Sequence, residues 1–562
     1  MRIVAILLTV FALLPLSAQQ PADLRTRAEA TDYVETSSYD DVVRLAKGIV
    51  SSSPLAQYEN FGTTEEKREM PLLILSDPAV STPEAARKLG RPMVFVQANI
   101  HAGEVEGKEA TIILARRLTA GDLRPMLRDL VVLIAPIYNA DGNEKVNVQN
   151  RTSQNGPIAG VGTRENSKGL DLNRDYMKLD SAEARALVGL MNRWDPHVAI
   201  DLHTTNGSYH GYHLTYSPTL NPNADPRLLE LAREQILPIV QQAVAKKHSF
   251  RTYYYGNFAS ESGVARENSR VDPADPGDTV WRTFDHRPRF GNNYVGLRNR
   301  LAILSEAYSY LDFRGRVRVT EVFVEECLRA IAANGRKLTA LTMQIDADSK
   351  GYDGTTAARR GAPTPPSLGV DFQIAALSSP ADILVGDVTK QPNERSGREM
   401  LVMSDQAVPV RMKNYGIFQP TRMVAMPAGW LIPKPHVDSG RYAAAIDRLR
   451  WHGIRLQTTT ESVRIDVQRF IIQSLTKSDR VFQGHQEARL VGKHENAELS
   501  IQAGALFVPA NQPLARLAFY LLEAESDDGL VTWNYLGDGL TVGDTFPVYR
   551  VMRASGLKVE PM

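Results

Sequence analysis

A single cysteine, Cys327, among 562 residues rules out an internal disulfide. A chain exported to an oxidising compartment must then be held together by its core rather than by cross-links. Cys327 falls in the apolar-periodic run 322–331, the setting of a packed thiol rather than a nucleophile. An excess of either charge is also missing, with 65 Lys and Arg against 64 Asp and Glu. Such balance offers no electrostatic footing for nucleic acid or an anionic membrane as partner. No Gly-x-Ser-x-Gly elbow supports a serine hydrolase, and there is no Walker-type or dinucleotide-binding glycine loop. Internal repeats and low-complexity tracts are likewise lacking.

What is present begins with an export pattern. Arg2 supplies a positive start, residues 3–14 form an apolar core, and Leu16-Ser17-Ala18 ends in small residues. That run is too short to span a bilayer but fits a cleaved signal peptide over residues 1–18. No later stretch is long and apolar enough to span a membrane. The protein is therefore expected to be exported, periplasmic or extracellular, with no integral membrane segment after signal removal. No cysteine near the cleavage point suggests a lipid anchor.

The remainder divides by texture. Up to about residue 345, short apolar runs at 93–97, 130–137, 198–202 and 301–304 alternate with helical periodicity at 107–118, 181–193, 227–247 and 320–345. Apolar runs of that length read as strands buried on both faces, and the alternation predicts an α/β fold: a mixed, largely parallel central sheet flanked by helices. Residues 19–345 are expected to form this catalytic domain. Residues 346–369, rich in Gly, Pro, Ser and Thr, read as a linker. Residues 370–562 read as an α+β or β-rich accessory domain, with a helix expected near 442–450 and a strand over 545–552.

The chemistry gathers where strands end. The run 93–97 leads into His101-Ala102-Gly103-Glu104, and the run 198–202 ends at His203. Ligands of open α/β sheets bind outside the carboxyl ends of strands, so these two ends can face one crevice. Two histidines and a glutamate match the three-ligand pattern of catalytic zinc, which keeps a fourth position open. The other histidines lack ligand spacing. His286 lies in a basic segment with Arg282, Arg287 and Arg289, which reads either as a contact for an anionic substrate group or as a solvated loop.

Five motifs in order carry a resemblance: His-Ala-Gly-Glu at 101–104, Asn-Ala-Asp-Gly at 139–142, Arg-Glu-Asn-Ser-Lys-Gly-Leu-Asp-Leu-Asn-Arg at 164–174, Asp-Leu-His at 201–203 and Leu-Ser-Glu-Ala at 304–307. Over roughly residues 40–345 the chain resembles the M14 family of zinc metallocarboxypeptidases. The resemblance implies one zinc ion per chain, held by His101, Glu104 and His203, with Asp171 accepting the other N–H of His101. It implies Glu306 as the general base and acid, and Arg164 as the stabiliser of the oxyanion. Asn173 and Arg174 would hold a substrate's terminal carboxylate. Three positions depart from the family pattern. Gly103 stands where many digestive members have arginine, and Asp175 puts a negative charge next in sequence to Arg174. The spacing of the family's mobile tyrosine falls near Phe284, so Tyr294 is the tyrosine carried forward as a substrate contact.

The function these residues imply is zinc-dependent hydrolysis of peptide bonds by removal of C-terminal residues, with a peptide or other amide as partner. A second reading keeps the zinc but takes a specialised amide, such as a peptidoglycan stem peptide or an acyl-amino acid. Against a third reading, a non-catalytic binding protein, stands the presence of every ligand and of the base.

Overall fold

The computed structural model describes residues 23–205, 207–266, 270–352, 366–554 and 556–562. The expected signal peptide, 1–18, therefore lies outside the described residues, as do 353–365 of the expected linker. In the first part the chain forms ten strands: β1 (Ala56–Thr63), β2 (Glu69–Leu75), β3 (Met93–Ala98), β4 (Val131–Ala135), β5 (Val198–Thr205), β6 (Leu214–Pro218), β7 (Thr252–Tyr254), β8 (Asn257–Ser260), β9 (Thr279–Arg282) and β10 (Leu301–Tyr308). Eight of them make one sheet in the order β1-β2-β4-β3-β5-β10-β6-β7. Its centre, β4-β3-β5-β10, is parallel throughout. Antiparallel pairs β1-β2, β2-β4 and β10-β6 make the sheet mixed.

Alternation along the central strands serves two cores. On β3, Met93 and Phe95 join one apolar cluster while Val94, Val96 and Ala98 join the other. One face is covered by helices Tyr39–Ser52, Glu106–Ala120 and Phe313–Ala333, through residues such as Leu45, Leu118 and Phe323. The opposite face takes helix Ala182–Trp194, started by Ser181, whose hydroxyl accepts from the Ala184 amide. Two expected helices differ in detail. The 227–247 run is a helix Pro226–Glu230, a wide turn over 231–236 and a helix Leu237–His248. Pro238 lacks an amide hydrogen and so cannot extend an ordinary α-helical ladder at that point. The 320–345 run is two helices, Phe313–Ala333 and Gly335–Lys350, broken at Asn334, so residues 346–350 of the expected linker are helical.

The later part is β-rich, as its many short apolar segments suggest. Strands β11 (Ser367–Ala375), β12 (Ala381–Pro392), β13 (Glu399–Met412), β14 (Asn414–Tyr415) and β15 (Ile417–Ala425) form the pairs β11-β15 and β12-β13, while β14 lies parallel to β9 of the first part. Strands β16 (Gly429–Ile432), β17 (Gln457–Thr459), β18 (Val463–Phe482), β19 (His485–Ile501), β20 (Leu506–Pro509), β21 (Tyr549–Val551) and β22 (Val559–Pro561) make a seven-stranded sheet. The helix Ala443–Trp451 falls where one is expected. Trp430, Phe519 and Trp533 of this region share one hydrophobic cluster with Leu187 and Trp194. The two parts are thus packed through a continuous core as well as joined by the β9-β14 ladder. Among the described residues no helix is long and apolar enough to cross a membrane.

That shared core contains buried histidines whose neutrality has a consequence for stability. His452 accepts from the Tyr294 hydroxyl at Nδ1 (2.8 Å) and donates from Nε2 to the Met177 carbonyl (3.1 Å). Burial pushes it from the ordinary 6.5 down to about 3, and does the same to His210. The unfolded chain takes up these protons near 6.5 while the folded one refuses them. Stability is therefore fully present above that pH and lost as pH falls toward 3, by up to about 1.4 kcal/mol per pH unit per histidine. Denaturant midpoints should drop between pH 7 and pH 5, above the carboxylate range; equal midpoints would contradict this.

Candidate metal centre and cleft

Chain geometry brings the first two candidate ligands together before any tertiary contact does. Leaving β3, Asn99 adopts a left-handed conformation (φ 63°), and the turn that follows closes with the Glu104 amide donating to the His101 carbonyl (2.9 Å). His101 and Glu104 are thereby placed just ahead of helix Glu106–Ala120. His203 lies inside β5, which runs on to Thr205 rather than ending at 202. Glu306 sits in β10 directly beside it, in register across the parallel ladder.

The three candidate ligands converge. His101 Nδ1 is 3.0 Å from Glu104 Oε1, His203 Nδ1 is 3.0 Å from Glu104 Oε2, and the two Nδ1 atoms are 3.2 Å apart. All three residues are buried. Each ring is steered from behind by a carboxylate. His101 Nε2 meets Asp171 Oδ1 at 3.1 Å, and His203 Nε2 lies 3.0 Å from Asp201 Oδ2, out of line for a hydrogen bond but close enough for ionic attraction. Glu104 is also gripped by the Thr204 amide (3.0 Å) and by Arg151 Nη2 (2.7 Å).

The electrostatics follow from that crowding. Burial alone pushes the Glu104 carboxyl up, but His101 and Arg151 outweigh it and hold the group well below the usual carboxylate range. For His203 burial works downward, and the charges of Asp201 and Glu104 prevail, leaving it well above its ordinary value. Burial pushes Glu306 up to about 8; Glu104 and Asp201 add to this while His203 and Arg164 oppose it. A cluster of acceptors that draws a proton onto His203 is one that favours a cation.

A cleft of about 330 Å³ opens over the cluster and is lined by Arg164, Asn173, Arg174 and Glu306 as well as by the three ligand candidates. Arg164 spends Nε and Nη2 on Asp171 (3.0 and 2.9 Å), which leaves Nη1 directed at the cluster, 3.3 Å from His101 Nδ1. The Arg174 guanidinium stacks on Phe290, 3.9 Å from the ring centre, and has no carboxylate partner among the described residues. Asn173 accepts from the Gly291 amide through Oδ1 (3.0 Å).

Two expectations need correction. Tyr294 is not at the cleft: it is fully buried, against Tyr176 and His452, because the helix Gly291–Leu297 that carries it turns its side chain into the core shared with the later part of the chain. Asp175 does not face Arg174. Its carboxylate is buried, accepting from Lys178 Nζ (2.7 Å) and from the amide and hydroxyl of Ser181 (2.8 and 2.6 Å). Of the basic segment, Arg287 pairs with Asp285, Arg289 with Asp528 and Glu487, and His286 with Asp527.

Some of the site is invisible to motif reading. Arg151 arrives from the loop 144–160, and its side chain fills the space beside Gly103, where a Cβ would fall 2.3 Å from Arg151 Cδ. Tyr255 and Phe284 line the cleft with their rings edge to face, 5.2 Å apart. Gln483, at the tip of the β18-β19 hairpin, accepts from the Asp171 amide (2.8 Å) across more than 300 residues of sequence. Another group, His248, Glu325 and Glu326, also has ligand atoms close together. There, however, Lys247 already pairs with Glu326 (2.9 Å), and Arg117 and Arg329 with Glu325 (2.7 and 2.8 Å).

Fold and site together define an α/β catalytic unit of the zinc carboxypeptidase type, and the protein is a metallopeptidase. Residues 44–274 match the model of the zinc carboxypeptidase family, Peptidase_M14. Glu306 lies beyond that stretch; the three candidate ligands and Arg164, Asp171, Asn173 and Arg174 lie within it. Carboxypeptidase 2 of Trichophyton rubrum is 22% identical over 529 residues, covering 90% of this chain and 84% of that one. A stretch of 93 residues is 37% identical to carboxypeptidase D of Homo sapiens, covering 16% of this chain and 7% of that one. Among solved structures, a metallo-carboxypeptidase from Burkholderia cenocepacia gives a TM-score of 0.38 at 17% identity, over 54% of this chain and 71% of the other.

Proposed function

We propose that this chain removes residues from the C-termini of peptides, using one zinc ion held by His101, Glu104 and His203. The observation that supports it most is the convergence of three buried donors beside Arg174, which has no carboxylate partner among the described residues, and the half-buried Glu306 in one cleft. The donor set fits the ion. Zinc at about 2.0–2.2 Å from tetrahedral ligands sets those ligands roughly 3.3 Å apart, near the separations of 3.0–3.2 Å between the ligand atoms here. The acid-oriented rings behind it, His101 on Asp171 and His203 beside Asp201, are the usual support for such ligands.

Zinc bound there would polarise the scissile carbonyl and lower the pKa of an attacking water toward about 7. The chain's own residues supply the rest. Arg174 takes the substrate's terminal carboxylate in the planar two-pronged geometry that guanidinium favours, with Phe290 fixing its plane. Arg164, held by Asp171, directs Nη1 to where negative charge develops on the carbonyl oxygen. Glu306 accepts the water's proton on a carboxylate oxygen and returns it to the leaving amine. Since Asp175 turns away from Arg174, it offers no reason to prefer a specialised amide over an ordinary peptide terminus. Export to the periplasm or beyond is part of the same proposal and rests on residues 1–18 of the sequence.

Peptides in matched pairs, one with a free C-terminal carboxylate and one amidated, test this reading by mass spectrometry. Stepwise loss of single C-terminal residues from the free peptides alone is expected. Internal cleavage, or equal trimming of both partners, would overturn the terminal-carboxylate role of Arg174.

A further inference from the structure

The cleft over the candidate metal centre shares a wall with a second cavity. Phe284 and Asp285, which line it, also line a second and larger chamber of about 680 Å³. That volume falls within the roughly 300–1,000 Å³ of ordinary ligand sites. Its walls come from both parts of the chain. The segment 282–287 forms one side; the β11-β15 pair contributes Ile374 and Phe418, and the β18-β19 hairpin contributes Lys477 and Arg489. A chamber assembled at this seam, adjoining the cleft at Phe284 and Asp285, is placed to meet the part of a substrate that the cleft does not hold.

Its charge decides what it would meet. The acids of the wall have partners: Asp285 pairs with Arg287, Glu487 shares Arg289 with Asp528 (2.6 and 2.8 Å), and Asp527 contacts His286 (3.0 Å) and accepts from the Tyr520 hydroxyl (2.5 Å). Arg489 is likewise matched, by Asp371. Arg282 and Lys477 have no carboxylate partner among the described residues, and the Arg282 guanidinium lies 5.9 Å from the centre of the Tyr415 ring. Arg282 and Lys477, one from each part of the chain, are thus the wall cations left without a carboxylate partner among the described residues.

We propose that this chamber is an accessory substrate subsite that selects peptides bearing an acidic side chain away from the scissile bond, with Lys477 and Arg282 as its cations. The proposal rests on the peptidase reading above and gives the β-rich part of the chain a role in specificity. An acidic residue there gains by pairing with cations that have no carboxylate partner among the described residues. One partly exposed pair contributes modestly, so about a five-fold gain in kcat/KM is expected, shrinking as salt is raised.

The test uses the full chain and pools of N-acetylated pentapeptides with a randomised C-terminal residue. Glu is compared with Gln at each of the other four positions in turn. The wild-type protein should favour Glu at one position or more, Lys477→Glu should abolish or reverse that preference, and Arg282→Gln should weaken it. N-acetylated dipeptides, too short to reach the chamber, should be cleaved equally by all three proteins, which also shows that the variants are folded. Cleavage of every pool without preference, or a preference that survives Lys477→Glu, would overturn the subsite while leaving the peptidase reading intact. Failure to cleave any peptide, short or long, would overturn both.

Discussion

Glu306→Gln is expected to lower peptide turnover by about 10²- to 10⁴-fold, the usual worth of a positioned proton-transfer group, while leaving metal content unchanged. The residue is half-buried in β10, lining the cleft in register with His203, and is not one of the three converging donors. Glutamine keeps the volume and much of the hydrogen bonding but cannot accept a proton. Elemental analysis and steady-state kinetics on the same preparation separate the two effects. Loss of metal along with activity would assign Glu306 to the ligand set instead; wild-type turnover would remove it from the mechanism.

Replacing His203 by alanine should act the other way round, on the metal first. Outer partners of zinc ligands typically contribute about 10- to 100-fold in affinity, so removal of a direct ligand should exceed that range. The variant also leaves Asp201 and Glu104 facing a void where an imidazole stood, two carboxylates with less positive charge between them. Zinc should therefore be lost on dialysis against a chelator concentration that the wild-type protein withstands. Stoichiometric zinc retained under that condition would refute the assignment of His203. Thermal unfolding of both metal-free proteins shows how much of the change is structural.

The parts of this molecule that could be read from sequence are those in which a physical constraint acts locally. Strands β3, β5 and β10 are parallel and buried on both faces, so they appear as unbroken apolar runs, and the chemistry sits on or just beyond their carboxyl ends. His101 and Glu104 are three residues apart in one turn, which makes their meeting legible. Arg174, Asn173 and Asp171 were found through the company of a motif rather than through any local rule. The failures have the opposite character. Tyr294 was chosen by spacing alone, and spacing along a chain does not reveal that a seven-residue helix turns its ring into a core built with His452, more than 150 residues away. Asp175 is next to Arg174 in sequence but not in space; Lys178 and Ser181 draw its carboxylate to the other side.

Arg151 and Gln483 show a further limit. Each reaches the metal centre from a loop or hairpin tip without periodicity, Arg151 onto Glu104 and Gln483 onto the Asp171 amide. Only the empty side chain at Gly103 hinted that something else occupies that space. The long strand β18 is hard to see in the sequence because its buried side changes along its length: Ile465 and Val467 pack into one cluster and Phe470 and Ile472, on the other face, into another, so no single alternation runs through it. Its hairpin with β19 nonetheless supplies both a contact behind the candidate metal centre and a wall of the larger chamber.

Anomalous diffraction at the zinc absorption edge, from crystals of the purified protein, tests the central assignment most directly. The account predicts one strong peak per chain, about 2.0–2.2 Å from His101 Nδ1, His203 Nδ1 and a carboxylate oxygen of Glu104. A peak only at His248, Glu325 and Glu326, or none within bonding distance of the first three residues, would contradict it.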